Sequence, residues 1–206
     1  MPADVRCFTM LGPPASGKGT QGRLLAERLG IAYLSTGARL RREIEEGSPL
    51  GQRAQVFLDR NQYVPDSLAV ELVKSWVLRH EEGWLLDGFP RSIPQAEALL
   101  EFAPQAFTVI HLSVPEEELR SRVVTRRECI SCGFVSTNDH KQCPKCGGEL
   151  EARADDSAEG FEKRFQAYQS LTIPALELLK TRTTVVTIEG LGSREEVAGA
   201  IQDQLT

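Results

Sequence analysis

The stretch GPPASGKGTQ, residues 12–21, constrains this chain most, because it lies between an apolar run, VRCFTMLG, and an amphipathic stretch, KGTQGRLLAERLG. A strand that enters a Gly-rich turn and leaves as a helix aims several backbone N–H groups and a positive helix end at one point, which favours phosphate. Gly12, four residues, then Gly17 and Lys18 make the phosphate-loop spacing, in which the lysine reaches the β/γ-phosphates of a nucleotide. A plain tight turn with a solvated lysine needs neither the strand before it nor the helix after it.

Further along, apolar β-prone runs alternate with helical patterns. VRCFTML, AYLST, GWLLDG, AFTVIHLSV and TTVVTIEG read as five strands. Helices are expected at 18–29, 38–46, 49–60, 66–80, 94–102, 115–127, 157–182 with a break near Pro174, and 193–205. That order predicts an α/β fold, a parallel sheet with helices on both faces and ligands beyond the carboxyl ends of its strands, where the Gly-rich loop falls. Two stretches interrupt the alternation and read as lobes over the site: helical 36–66 and Cys-bearing 127–154.

Of the 206 residues 41% are hydrophobic and 26% charged, enough for one substantial core with insertions. The formal charge is −5, so a polyphosphate site must gather its own Arg and Lys locally, and nucleic acid is not an expected partner. No apolar run reaches the roughly 18 residues of a membrane span, and MPADVRCFTM lacks a signal-peptide pattern. A cytoplasmic protein without membrane contact is the expectation.

Four of the five cysteines lie in CISCGFVSTNDHKQCPKCGG, where Cys129, Cys132, Cys143 and Cys146 form two CxxC knuckles, each followed by glycine. Two such knuckles at this separation predict a tetrahedral zinc site. Disulfides are disfavoured in a cytoplasmic chain, and a redox CxxC needs no second copy nearby. Four thiolates leave no open coordination position, so the metal is expected to be structural. Cys7 reads as a small buried apolar residue, and His140 as no ligand. Arg41, Arg91, Arg122, Arg126, Arg153 and Arg164 come from different segments, and each guanidinium can fork onto phosphate oxygens. Singly, each such arginine is more often part of a solvated face or a salt bridge. Arg122 and Arg126, four apart, are expected on one helix face, and Arg153 stands beside Asp155 and Asp156.

Taken with YLSTGARLRREI, QYVPDSL, GWLLDGFPRSIPQAEAL, VPEEELRSRVVTRR and RADDSAEGFEKRF, the loop and the Cys-bearing segment resemble adenylate kinase over nearly the whole chain. The resemblance implies a five-stranded phosphate-loop kinase fold with a core of 1–35, 67–126 and 155–206, an AMP-binding lobe at 36–66 and a zinc-binding lid, here shortened, at 127–154. It implies Mg-dependent, direct in-line transfer, ATP + AMP = 2 ADP, in a monomer. Residue by residue, it assigns Gly12, Ser16, Gly17, Lys18, Gly19, Thr20, Arg122, Arg126 and Gly190 to ATP. To AMP it assigns Thr36, Arg41, Val64, Gly88, Arg91, Gln95, Arg153 and Arg164, with Gln95 reading the adenine edge. Lys18, Arg91, Arg122, Arg126, Arg153 and Arg164 form the catalytic set, Asp87 orients magnesium through water, and Asp155 and Asp156 position the lid arginines.

The chain departs from the family pattern at Ala15, where Gly is usual, at Ala38, where Asp is common, and between the Cys pairs, where only GFVSTNDHKQ stands. Two other readings compete. A UMP/CMP-type kinase shares the scaffold, but commonly reads SAG where this chain has STG and lacks the cysteines. A non-enzymatic zinc-ribbon module has no use for Asp87 and separated arginines together.

Overall fold

In the computed structural model, which describes residues 6–59, 64–103, 106–136, 140–152 and 156–205, the expected alternation closes into one parallel sheet. β1 (Cys7–Leu11) leads into α1 (Lys18–Leu29), then β2 (Ala32–Ser35), α2 (Thr36–Glu45), α3 (Pro49–Leu58), α4 (Asp66–Val77) and β3 (Trp84–Asp87). α5 (Ile93–Phe102), β4 (Thr108–Ser113) and α6 (Glu116–Thr125) follow, then three short strands, β5 (Arg127–Cys129), β6 (Val135–Ser136) and β7 (Leu150–Glu151). The chain returns through α7 (Ala158–Ala167), α8 (Ile173–Lys180), β8 (Thr184–Glu189) and α9 (Arg194–Leu205).

The sheet order is β2-β3-β1-β4-β8, and every pairing is parallel. Side chains alternate between its two faces, as a period of two requires. Cys7, Leu11, Leu34, Trp84, Leu86 and Val109 meet α4, α5 and α8 on one face. Phe8, Met10, Leu85, Ile110, Leu112 and Ile188 meet α1 and α9 on the other. The central strands β1, β3 and β4, buried from both sides, are near-continuous apolar runs, while the edge strands β2 and β8 are only partly buried. Cys7 is fully buried, as expected.

This order places the site. The chain moves from β1 toward β2 on one side and from β4 toward β8 on the other, so a crevice opens beyond the carboxyl ends of β1 and β4. The two strands approach so closely there that a Cβ on Gly12 would sit 2.6 Å from the Leu112 carbonyl oxygen. A second close approach joins α2 to α3, where a Cβ on Gly51 would lie 2.0 Å from the Glu43 carbonyl oxygen.

The α-helix is interrupted near Pro174 as expected: a π-helical turn, Tyr168–Thr172, joins α7 to α8, and its wider ring absorbs the missing proline N–H while the chain stays helical. One local expectation is corrected. Arg126 does not share a helix face with Arg122, because α6 ends at Thr125 and Arg126 has extended backbone. The three strands β6-β5-β7 pair antiparallel into a small sheet of their own. They are too short to show a period in the sequence.

Candidate active site: a phosphate loop ringed by arginines

The loop between β1 and α1 is bent by Gly12 at φ 149°, Ala15 at φ 63° and Gly17 at φ 93°. Ala15 therefore occupies the left-handed conformation that a glycine would adopt freely, at a cost of about 1–2 kcal/mol. Its methyl group is not idle: it packs beside Val114, Leu119, Val123, Phe161 and Phe165, the cluster that joins α6 to α7. Ser16 is buried, and its N–H donates to the Pro13 carbonyl at 3.3 Å. Gly19 and Thr20 occupy the first turn of α1, which carries no acidic residue of its own, so its positive end is left to charges from outside the helix.

Lys18 Nζ folds back over the loop, donating to the Pro13 carbonyl at 2.6 Å and to Ser16 Oγ at 3.4 Å. Burial pulls this ammonium down to about 7; Asp87 offsets part of the effect, while Arg91, Arg126 and Arg164 add to it. Asp87, Arg91, Arg126 and Arg164 are thus the charges close enough to act on Lys18. Asp87, at the end of β3, accepts from Tyr33 Oη at 2.8 Å on Oδ2. A Cβ on Gly19 would lie 3.2 Å from that oxygen, so the carboxylate faces the start of α1. The Arg23 guanidinium lies over the Tyr33 ring at 4.8 Å.

On the acceptor side, α2 begins with Thr36, whose buried hydroxyl oxygen has no hydrogen-bond partner among the described residues. A Cβ on Gly37 would lie 3.6 Å from Arg41 Nη1 and 3.7 Å from Arg91 Nη2, so the two guanidinium groups converge over the start of this helix. Arg91 Nε donates to the Gly88 carbonyl at 2.7 Å. Gln95 is buried in the first turn of α5, its Oε1 accepting from the Arg91 backbone N–H and its Nε2 donating to Asp66. Val64 is half-buried just ahead of α4.

On the opposite side Arg126 and Arg164 share one carboxylate. Asp156 accepts from Arg126 Nε at 2.6 Å and from Arg164 Nη2 at 2.9 Å, and its side chain is 2% exposed. Burial opposes this charge, but the two arginines outweigh it and hold the Asp156 carboxyl below the usual range. Ser157, not Asp156, caps α7. Arg122 turns elsewhere, donating to Glu118 at 2.8 Å and to the Gly190 carbonyl at 3.0 Å. Gly190 borders the loop: a Cβ there would lie 3.3 Å from the Ser16 carbonyl oxygen. Arg153 and Asp155 lie outside the described residues.

The four cysteines come together as their spacing predicts. One ligand atom from each of Cys129, Cys132, Cys143 and Cys146 falls within 4.8 Å of the others, with Sγ pairs at 3.5 and 3.6 Å. A tetrahedron with metal–sulfur bonds of about 2.3 Å has sulfur edges of about 3.8 Å, so this donor set fits zinc. Each knuckle closes alike: Gly133 N–H donates to the Cys129 carbonyl and Gly147 N–H to that of Cys143, both at 2.8 Å, with glycine φ of 68° and 74°. The tip of this small sheet reaches the core, where Arg194 lies over the Phe134 ring at 4.9 Å and donates to the Val135 carbonyl at 3.4 Å.

Three contributors escape a reading of the sequence. Tyr33, Asp66 and Arg194 act through contacts made across 54, 29 and 59 residues of chain, which no local pattern reports. Chemically, the ring of one lysine and several arginines, with Asp87 at its edge, suits a highly charged phosphate chain whose oxygens need neutralising rather than attacking. A bound triphosphate restores the charged form of Lys18, so its binding near pH 7–8 should take up a fraction of a proton. Calorimetry in buffers of different ionisation enthalpy reads this uptake directly; heats independent of the buffer would contradict the assignment of Lys18.

The chain matches the family model described as adenylate kinase over residues 10–184. It is similar to the adenylate kinase of Carboxydothermus hydrogenoformans, 38% identical with 95% of this chain and 97% of the relative covered. Those of Methanocella arvoryzae, at 37%, and Clostridium tetani, at 36%, each share 95% of this chain and 96% of the relative. With the loop, the convergent arginines and the four-cysteine cluster, these matches place the chain in the adenylate kinase family.

Proposed function

We propose that this protein transfers a phosphoryl group reversibly between ATP and AMP, ATP + AMP = 2 ADP, by direct in-line displacement. The observation that carries the reading is that Lys18 folds over the loop, Arg91 meets Arg41 at the start of α2, and Arg126 and Arg164 share Asp156, all three of these arginines acting on the lysine. Phosphoryl transfer needs alignment and charge neutralisation more than a covalent intermediate, and such a ring supplies both. Gly12, Ser16, Gly17, Gly19 and Thr20 with Lys18 hold the donor phosphates, and Arg122 with Gly190 borders the donor base. Thr36, Arg41, Val64, Gly88, Arg91 and Gln95 hold the acceptor, the unpartnered Thr36 hydroxyl among them. Arg126 and Arg164, with Arg153, flank the moving phosphoryl group.

Adenylate kinases use Mg2+ with ATP, where the ion neutralises charge on the phosphate chain. Here Asp87 is the residue to orient it, with Tyr33 fixing one carboxylate oxygen. The 36–66 and 127–154 segments act as lobes that close over the core and exclude water, which would otherwise compete with AMP. The family reading makes the working unit a monomer in the cytoplasm.

A coupled assay with ATP and each of AMP, UMP, CMP and GMP tests this reading. AMP is expected to be the preferred acceptor, and equal turnover with UMP would overturn it. Lys18→Met should remain folded and lose about 10²-fold or more in rate, as expected for one preorganised charge contact. Near wild-type turnover would remove Lys18 from the mechanism.

The cysteine cluster is assigned one structural zinc. Zinc contributes roughly 10–16 kcal/mol of apparent folding free energy in isolated finger peptides, but this cluster organises only a small sheet beside an independently packed core. Replacing Cys143 and Cys146 by Ser should therefore abolish zinc binding and melt residues 127–154, while the core keeps its cooperative unfolding. ATP affinity should fall more than AMP affinity, because Arg122 and Arg126 precede that segment. Metal content, hydrogen exchange and the two affinities check this; zinc retained at one per chain, or collapse of the whole fold, would contradict it.

A further inference from the structure

Gln95 and Asp66 meet through bonds that can run in only one sense. Gln95 Nε2 donates to Asp66 Oδ1 at 2.6 Å, and Gln95 Oε1 accepts from the Arg91 backbone N–H at 2.8 Å. Asp66 Oδ2 accepts from Ser92 Oγ at 2.7 Å, and Ser92 Oγ in turn accepts from the Gln95 backbone N–H at 3.4 Å, capping α5. An unrestrained amide can turn over and exchange its donor and acceptor ends. Neither partner of Gln95 permits that exchange: a carboxylate has no proton to give, and a backbone N–H has no lone pair to offer. Turned over, the amide would set oxygen against carboxylate and NH2 against N–H in a side chain only 6% exposed. Mismatched polar groups are most costly where water cannot rescue them.

With these bonds made, Gln95 keeps one N–H and one oxygen lone pair for a ligand. An adenine edge offers an acceptor at N1 beside a donor at N6. Hypoxanthine and guanine present the reverse, a donor at N1 beside an acceptor at O6. An amide free to turn would accept either edge; an amide of fixed polarity accepts one.

We infer that Asp66 is a positioning residue that sets base specificity: it locks the polarity of the Gln95 amide so that the acceptor site takes a 6-aminopurine nucleotide and refuses a 6-oxopurine one. The inference rests on the reading of Gln95 as the residue that meets the acceptor base. Asp66 acts through its bonds to Gln95 and Ser92. It stands at the first residue of α4 and acts across to α5, so the relative placement of these two helices is part of the specificity device.

The test compares AMP with IMP, whose bases differ at these two positions alone, by calorimetric affinity and by kcat/KM for phosphoryl transfer. The wild-type protein should prefer AMP by about 10²-fold or more, as sites built around hydrogen bonds do. In Asp66→Asn the new amide can face Gln95 with either end, so only the Arg91 backbone N–H still opposes the turned-over amide, and the preference should shrink about tenfold, chiefly through improved IMP binding. Asp66→Ser, whose hydroxyl also donates or accepts, should shift the ratio the same way and serves if the Asn variant melts early. An equal loss of affinity for both nucleotides is what a merely structural Asp66 would give, and it overturns the inference, as does an unchanged ratio. Wild-type protein that uses AMP and IMP alike would overturn the acceptor assignment itself, a different result from a selective wild type with equally selective variants.

Discussion

Repulsion among like charges is the constraint on which the rest of this structure depends. Burial pulls Lys18 down to about 7, and Arg91, Arg126 and Arg164 each push its charge the same way. A protein of net charge −5 does not gather cations there by general composition. They are held by individual carboxylates: Asp156 takes Arg126 and Arg164 together, and Asp87 offsets Lys18. The ring is thus restrained but not neutralised, and the missing negative charge is what a nucleotide phosphate chain supplies.

The fold delivers these groups from separate places. The sheet order, with β1 between β3 and β4, brings the loop after β1 beside Asp87 at the end of β3 and Gly190 just after β8. Arg91 arrives from the turn before α5, and Arg164 from α7. A hydrogen bond links those two regions: Thr172, at the end of the π-helical turn, donates to the Arg91 carbonyl at 3.0 Å. The turn that accommodates Pro174 therefore also ties the helix region carrying Arg164 to the acceptor arginine.

Much of this was legible in the sequence because the relevant signals are local. The five strands are short runs rich in apolar and β-branched or aromatic residues, the phosphate loop is one decapeptide, and the two CxxC knuckles carry their own turn glycines, so Cys129, Cys132, Cys143 and Cys146 can be grouped from spacing. What stayed hidden depends on distance or on a weak local preference. Arg122 and Arg126 looked like one helix face, yet α6 stops between them and each finds a different partner. Ala15 was visible as a departure from the family pattern, but only the folded chain shows a left-handed backbone whose methyl packs against the α6–α7 cluster. The Asp66–Gln95 and Tyr33–Asp87 bonds join segments that no periodicity relates.

The central claim is that positioned cations, without a covalent enzyme intermediate, carry the phosphoryl group from donor to acceptor. The stereochemical course at phosphorus tests it most directly, using ATP made chiral at the γ-phosphorus with oxygen isotopes and AMP as acceptor. A single in-line transfer inverts the configuration, and inversion is the predicted result. Retention would mean two successive displacements through a phosphorylated side chain, and would contradict the account.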